Sequence, residues 1–147
     1  MPIRKVINKQ LGEVLVEHGA ITPQQLEKAL TFQRENGGLI GEILVALGFL
    51  REEDIAQALT VQYGFPYLPL NNYEIDNAII GLVPGRVARQ YMLMPIDKVG
   101  NNLTLAMSNP LNFQAIEDIE LLTGSVIQTF VSTSTDIKKA IEKYYKT

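Results

Sequence analysis

The chain has 147 residues, a formal net charge of −3, a pI near 5.2 and no cysteine. That length suits one domain or two small lobes that fold without staples, and the missing thiols exclude a disulfide framework and thiolate metal sites, in keeping with a reducing, cytoplasmic setting. The acidic balance argues against DNA or RNA binding driven by accumulated Lys and Arg, and no window reaches the roughly 18 apolar residues of a membrane span, so membrane insertion is not expected.

In chain order, the basic residues Arg4, Lys5 and Lys9 come first. They read as a solvated terminus or as an arm that folds over an anionic ligand. Gly12 to Glu17 then predicts a short apolar helix, with Gly19 placed as its left-handed C-terminal glycine. Thr22-Pro23-Gln24-Gln25 predicts a helix start, Thr22 capping and Gln25 completing a capping box. Leu26, Leu30 and Gln33 share one face of that helix, which ends at Gly37-Gly38. A second, similar pair of helices follows from Ile40, with a weaker start because Arg51 stands where Thr22 stood. Glu52, Glu53 and Asp54 compensate in part by favouring the positive end of the helix dipole.

The pattern changes at Tyr63-Gly64-Phe65-Pro66. Tyr67 to Leu70 reads as extended, and Asp76 to Leu82 and Pro84 to Gln90 as short helices. Met92 to Val99 and Leu103 to Met107 read as strands of a hairpin closed by Gly100-Asn101-Asn102. Ser108-Asn109-Pro110 is expected to cap a helix from Leu111 to Thr123, and Val126 to Val131 to return as a strand, making one right-handed crossover. Ser134 or Thr135 is expected to cap the last helix, to Tyr145. The predicted class is α+β: a helical lobe of two tandem helical hairpins (1–65), then a small α/β lobe (66–147).

The helical lobe repeats itself. Leu11-Gly12-Glu13-Val14-Leu15, Gly19, Leu26, Ala29-Leu30 and Gln33 recur 29 residues later as Ile40-Gly41-Glu42-Ile43-Leu44, Gly48, Ile55, Ala58-Leu59 and Gln62. Of the 23 aligned positions, nine are identical. Apolar periodicity alone would make a core, so the repeated glycines and glutamine ask for a further reason. Two copies are fewer than a solenoid uses, and a paired site for a two-fold ligand is the sharper reading. Glycine near a helix start lets a ligand reach the backbone, where first-turn N–H groups can meet phosphate oxygens. The leucines offer a flat surface to a purine, and each glutamine a donor and an acceptor. The plainer alternative for Gln33 and Gln62 is hydrogen bonding at a helix end.

Catalytic constellations are poorly supported. The single histidine, His18, aligns with Leu47 and reads as half-buried packing. Glu117, Asp118 and Glu120 read as a solvated helix face. No G-x-x-x-x-G-K-[ST] phosphate loop occurs, so the chain by itself is not expected to hydrolyse ATP or to be an enzyme, and no metal or cofactor is expected.

The tandem pattern L-G-x-x-L-x-x-x-G-x-x-x-x-x-x-L-x-x-x-L-x-x-Q, with Ile40 and Ile55 for leucine and the spacer Arg34 to Gly38, resembles the MshEN-type domain, also described as the type II secretion ATPase N-terminal domain. Tyr63-Gly64-Phe65-Pro66, Leu82-Val83-Pro84, Ala106-Met107-Ser108-Asn109-Pro110 and Leu122-Thr123-Gly124 are similar to that family as well. The resemblance implies a regulatory domain for cyclic di-GMP, attached to a type II secretion or type IV pilus assembly ATPase or acting as an adaptor. Its implied site is Gln10, Leu11, Gly12, Leu15 and Gln33 for one half of the ligand. Leu39, Ile40, Gly41, Leu44 and Gln62 serve the other half, with Asn109 added from the second lobe. The implied partners are the ATPase motor domain or an inner-membrane platform protein. The chain departs from the family at Gln10, where arginine is usual, and at Asn109-Pro110, where many members carry Asp-Pro. Members without the full motif imply the rival reading, a nucleotide-independent docking module.

Overall fold

Short-range chemistry accounts for most of the helix boundaries in the computed structural model, which describes residues 10–71 and 73–145. The chain divides into two compact units, Met1–Gly64 and Phe65–Thr147.

The first unit is helical: α1 (Leu11–Glu17), α2 (Pro23–Asn36), α3 (Ile40–Ala46) and α4 (Glu52–Tyr63). Both short helices close in the same way. The Ala20 N–H bonds the Leu15 carbonyl at 2.9 Å and the Gly19 N–H bonds Val16 at 3.0 Å; Phe49 to Leu44 and Gly48 to Val45 repeat this at 3.0 Å each. These paired bonds form a Schellman motif, which needs a left-handed residue just past the helix; Gly19 and Gly48 have φ of +81° and +79°. Thr22 and Gln25 form the expected reciprocal box, Thr22 Oγ1 accepting at 3.1 Å and Gln25 Oε1 at 2.9 Å. At α4 the Arg51 N–H donates to Asp54 Oδ2 at 2.9 Å, and the guanidinium grips the same carboxylate at 3.1 Å. Asp54 therefore does more than complement the dipole. Val14, Leu15, Ala29, Leu44, Ala58 and Leu59 are fully buried and form the centre of this unit.

The second unit comprises α5 (Asn77–Ile80), α6 (Gly85–Tyr91), β1 (Leu93–Val99), β2 (Asn102–Met107), α7 (Phe113–Thr123), β3 (Val126–Val131) and α8 (Ser134–Tyr144). β1 and β2 form the expected antiparallel hairpin, and β3 returns parallel to β2 through α7, giving the order β1-β2-β3. The α+β class stands.

Several local expectations shift. Asp76 to Leu82 keeps only one helical turn, and the extended piece at Tyr67 contributes a single parallel bridge to Val131. Helix α7 starts at Phe113, capped by Asn112, whose Oδ1 accepts from the Ala115 N–H at 3.2 Å. Asn109 instead closes an Asx turn upstream, accepting from the Leu111 N–H at 3.1 Å. The cap of α8 is Thr133, one residue before Ser134 and two before Thr135, the two expected caps. Met92 does not start β1: it adopts a left-handed conformation with φ of +54°. No helix among the described residues is long and apolar enough to cross a membrane.

Candidate functional site

The two Leu-Gly elements open α1 and α3, and these two helices pack on each other as well as on α2 and α4. Gln10 and Leu39 are the equivalent N-cap residues, both extended, with carbonyls accepting from Val14 at 3.2 Å and Ile43 at 3.0 Å. Gln10 is exposed and its side chain caps nothing, while Leu39 and Ile40 are half-buried. Leu11 is buried, and Leu15 and Leu44 are fully enclosed. They are core residues, and their place is beneath the surface that a ligand would meet.

The glycines have a packing explanation that periodicity does not reveal. A Cβ on Gly12 would lie 2.5 Å from Leu26 Cδ1, so α2 rests directly on the α1 backbone. At Gly41 the added Cβ would meet Leu11 Cδ2 at 3.3 Å and Ile55 Cδ1 at 3.5 Å. Leu26 and Ile55 are equivalent in the repeat, so each glycine admits the long helix of its own hairpin. Gly41 also receives Leu11 from the other copy. This brings the two Leu-Gly elements side by side. Leu26 and Ile55 were not among the predicted site residues, although the repeat itself marks both positions.

The glutamines diverge. Gln33 is half-buried and its Nε2 donates to the Gly38 carbonyl at 2.9 Å, tying the end of α2 to the turn that leads into α3. Gln62 is exposed, with no side-chain hydrogen bond to the described residues. Asn109 belongs to the second unit, half-buried, with its oxygen engaged in the Asx turn. Arg4, Lys5 and Lys9 lie outside the described residues.

Among the described residues, the side chains in the first turns of the paired helices include acidic ones. Glu13 and Glu42 occupy the third position of α1 and α3, where they complement the helix dipole. Each helix has only seven residues. Main-chain N–H groups there can meet polar ligand atoms, but their field is weak. The Arg51 hydrogen bond and charge hold the Asp54 carboxyl below the usual carboxylate range. His18 is exposed at the α1 C-cap, where half-buried packing was expected; a C-cap position faces solvent. Among the described residues no group of three or more His, Asp or Glu side chains is placed to hold a metal ion. A depression of about 340 Å³ on α2, lined by Gln24, Glu27, Lys28 and Thr31, involves none of the predicted residues.

In the second unit, Asp118 on α7 accepts from the Tyr91 hydroxyl and from Gln114 Nε2, the latter at 2.9 Å. The Tyr91 bond to Asp118 raises the phenol above its ordinary pKa. This clamp steadies the residue before the left-handed Met92, which argues for structure over chemistry.

Comparison with known proteins bears on this geometry. The type IV pilus assembly ATPase PilB of Myxococcus xanthus (strain DK1622) is 40% identical over 92% of this chain, which spans only 24% of that protein. A solved structure of MshE with cdg matches at a TM-score of 0.69 and 29% identity, covering 94% of this chain and all of that one. The N-terminal domain of XpsE matches at a TM-score of 0.74 over 95% of this chain, at an identity of 23% that speaks for the fold alone. The MshEN domain model matches residues 63–147, from the end of α4 through the whole second unit. That match spans more than half of the sequence, and the chain belongs to the MshEN domain family.

Proposed function

We propose that this chain is a non-catalytic, cytoplasmic regulatory domain that binds cyclic di-GMP and serves a pilus or secretion ATPase. One half of the ligand is held by Gln10, Leu11, Gly12 and Gln33, the other by Leu39, Ile40, Gly41 and Gln62, with Leu15 and Leu44 supporting the two frames from the core. The observation that carries this reading is the duplicated main-chain geometry of α1 and α3, repeated to within 0.1 Å in their closing hydrogen bonds. Two equivalent backbone frames suit a ligand made of two equivalent halves. The likeness to MshE, solved with cdg, supports the choice of ligand. Binding would bias a neighbouring motor only through different affinities for two of its states.

Calorimetry with cyclic di-GMP, with GTP and cyclic di-AMP as controls, tests this. A one-site isotherm near micromolar Kd, about −8 kcal/mol, is the expected result. Gln62→Ala, at an exposed position, should weaken binding while leaving the fold intact. Gln10→Arg should tighten it about 10- to 150-fold, the worth of a charged hydrogen bond of about 1.5–3 kcal/mol.

A second reading rests on the way the motif is spent in the fold. Leu26 occupies the space above Gly12, and Gln33 is committed to Gly38. In that case the domain docks on a platform protein without nucleotide. The absence of heat up to millimolar cyclic di-GMP, from folded protein, would select it.

A further inference from the structure

The end of α8 carries a device that neither the tandem motif nor the regulatory reading uses. Residues 73–76 are irregular, and α5, which follows, is one four-residue turn. A single turn has too few internal bonds to persist alone. Its order is supplied from about 65 residues away. The Tyr144 hydroxyl accepts from the Ile75 N–H at 3.0 Å and donates to the Tyr73 carbonyl at 3.2 Å. The Tyr145 hydroxyl donates to the Ile80 carbonyl at 3.3 Å, and Arg89 Nη2 returns a bond to the Tyr145 carbonyl at 3.2 Å. The Tyr145 ring lies over Gly85 so closely that a Cβ there would stand 3.1 Å from Cδ1. Ile75 and Ile80, the two apolar anchors of this stretch, are 6% and 8% exposed.

We propose that residues 73–82 form a strap held shut over the α/β core by the last turn of α8, so that displacing that turn opens the strap and uncovers Ile75 and Ile80. Two adjacent tyrosines hold three separated backbone groups of the strap, and Gly85 leaves room for the second ring. Among the described residues, and apart from the tyrosines, the backbone from Tyr73 to Asp76 is tied by the Tyr73 N–H bond to Leu70 and by the turn of α5 that Asp76 starts. The strap and the end of α8 therefore open as one low-stability unit while the sheet stays formed. Burial, opposed by Arg89, pushes the Tyr145 phenol up to about 12, as expected of a ring seated in the fold.

Amide hydrogen exchange at neutral pH on the full chain, followed by mass spectrometry or NMR, tests this. Tyr144→Phe should speed exchange at least tenfold at Ile75 and also across 77–82 and the last turn of α8, leaving β2 and the helical unit unchanged. Gly85→Ala removes no hydrogen-bonding group of the tyrosines or the strap, yet its methyl pushes on the Tyr145 ring and on the Arg89 guanidinium that bonds the Tyr145 carbonyl, and it should release the same segments. Acceleration confined to Ile75 in Tyr144→Phe, with Gly85→Ala silent, would reduce the strap to independent local bonds and overturn the proposal. Acceleration throughout the second unit would overturn it as well, because the strap would then not be a separate unit.

Discussion

The two copies of the repeat share one backbone and spend their side chains differently. In α1 and α3 the helix length, the extended N-cap and the Schellman closure coincide. The long helices are capped by unlike means: the first by a neutral hydroxyl and amide, Thr22 with Gln25, the second by the charged pair of Arg51 and Asp54. Gly12 is overlain by Leu26, whereas a Cβ at Gly41 would ask Leu11 to give by only a few tenths of an ångström. Gln33 is bonded within the fold and Gln62 faces solvent. The shared part is what a duplicated backbone frame needs. The divergent part shows that the copies are not interchangeable, and that the second keeps its polar group available.

The equivalence breaks if the core halves differ. Leu15→Ala and Leu44→Ala each empty a fully enclosed site. Each is expected to cost about 2–5 kcal/mol by chemical denaturation, the two within about 1 kcal/mol of each other. The glycines should separate the copies next. Gly12→Ala forces Leu26 aside, and overpacking of about 1–3 kcal/mol outweighs a helix-propensity gain of at most about 1 kcal/mol. Gly41→Ala asks Leu11 to yield by only a few tenths of an ångström against a helix-propensity gain of at most about 1 kcal/mol, and should stay close to neutral on the same measurement.

A smaller contrast is expected at the glutamines. Gln33→Ala loses its bond to Gly38 and about 0.5–1.5 kcal/mol, while Gln62→Ala stays within about 0.5 kcal/mol of the parent, as an exposed substitution should. The smallest effect concerns acid. The folded-state pKa of Asp54 is lowered, so its contribution is present above the ordinary carboxylate value near 4 and is lost as the pH falls through the lowered one. The Thr22 cap does not titrate. Amide exchange in the first turn of α4 should therefore rise relative to that of α2 as pH drops from about 5 to about 2.5, after correction for the intrinsic rate. Because the Asp54 carboxylate is largely solvent-screened, that change should be modest.

Local rules explain how much was readable in advance. The capping box at Thr22, the left-handed Gly19, the hairpin at Gly100-Asn101-Asn102 and the stop at Gly124 each depend on a few neighbouring residues, and each appears where it was expected. The helix after Asn109 was placed two residues early because Asn109 and Asn112 are both competent caps. The chain uses the first for a turn and the second for the helix. In the candidate site, the plainer expectation for Gln33, a hydrogen bond at a helix end, is what its bond to Gly38 supplies. The Leu26 side chain above Gly12 does not follow from spacing.

The sequence by itself determined the α+β class, the duplicated frame and the short-range closures, because those are set within one or two turns by capping, glycine conformation and apolar period. Tertiary structure decided which polar groups remain available and which glycines are filled. It also decided that two tyrosines at the end of α8 hold a strap far upstream in the chain. Those outcomes depend on which segments apolar burial brings together, and no local pattern encodes that pairing.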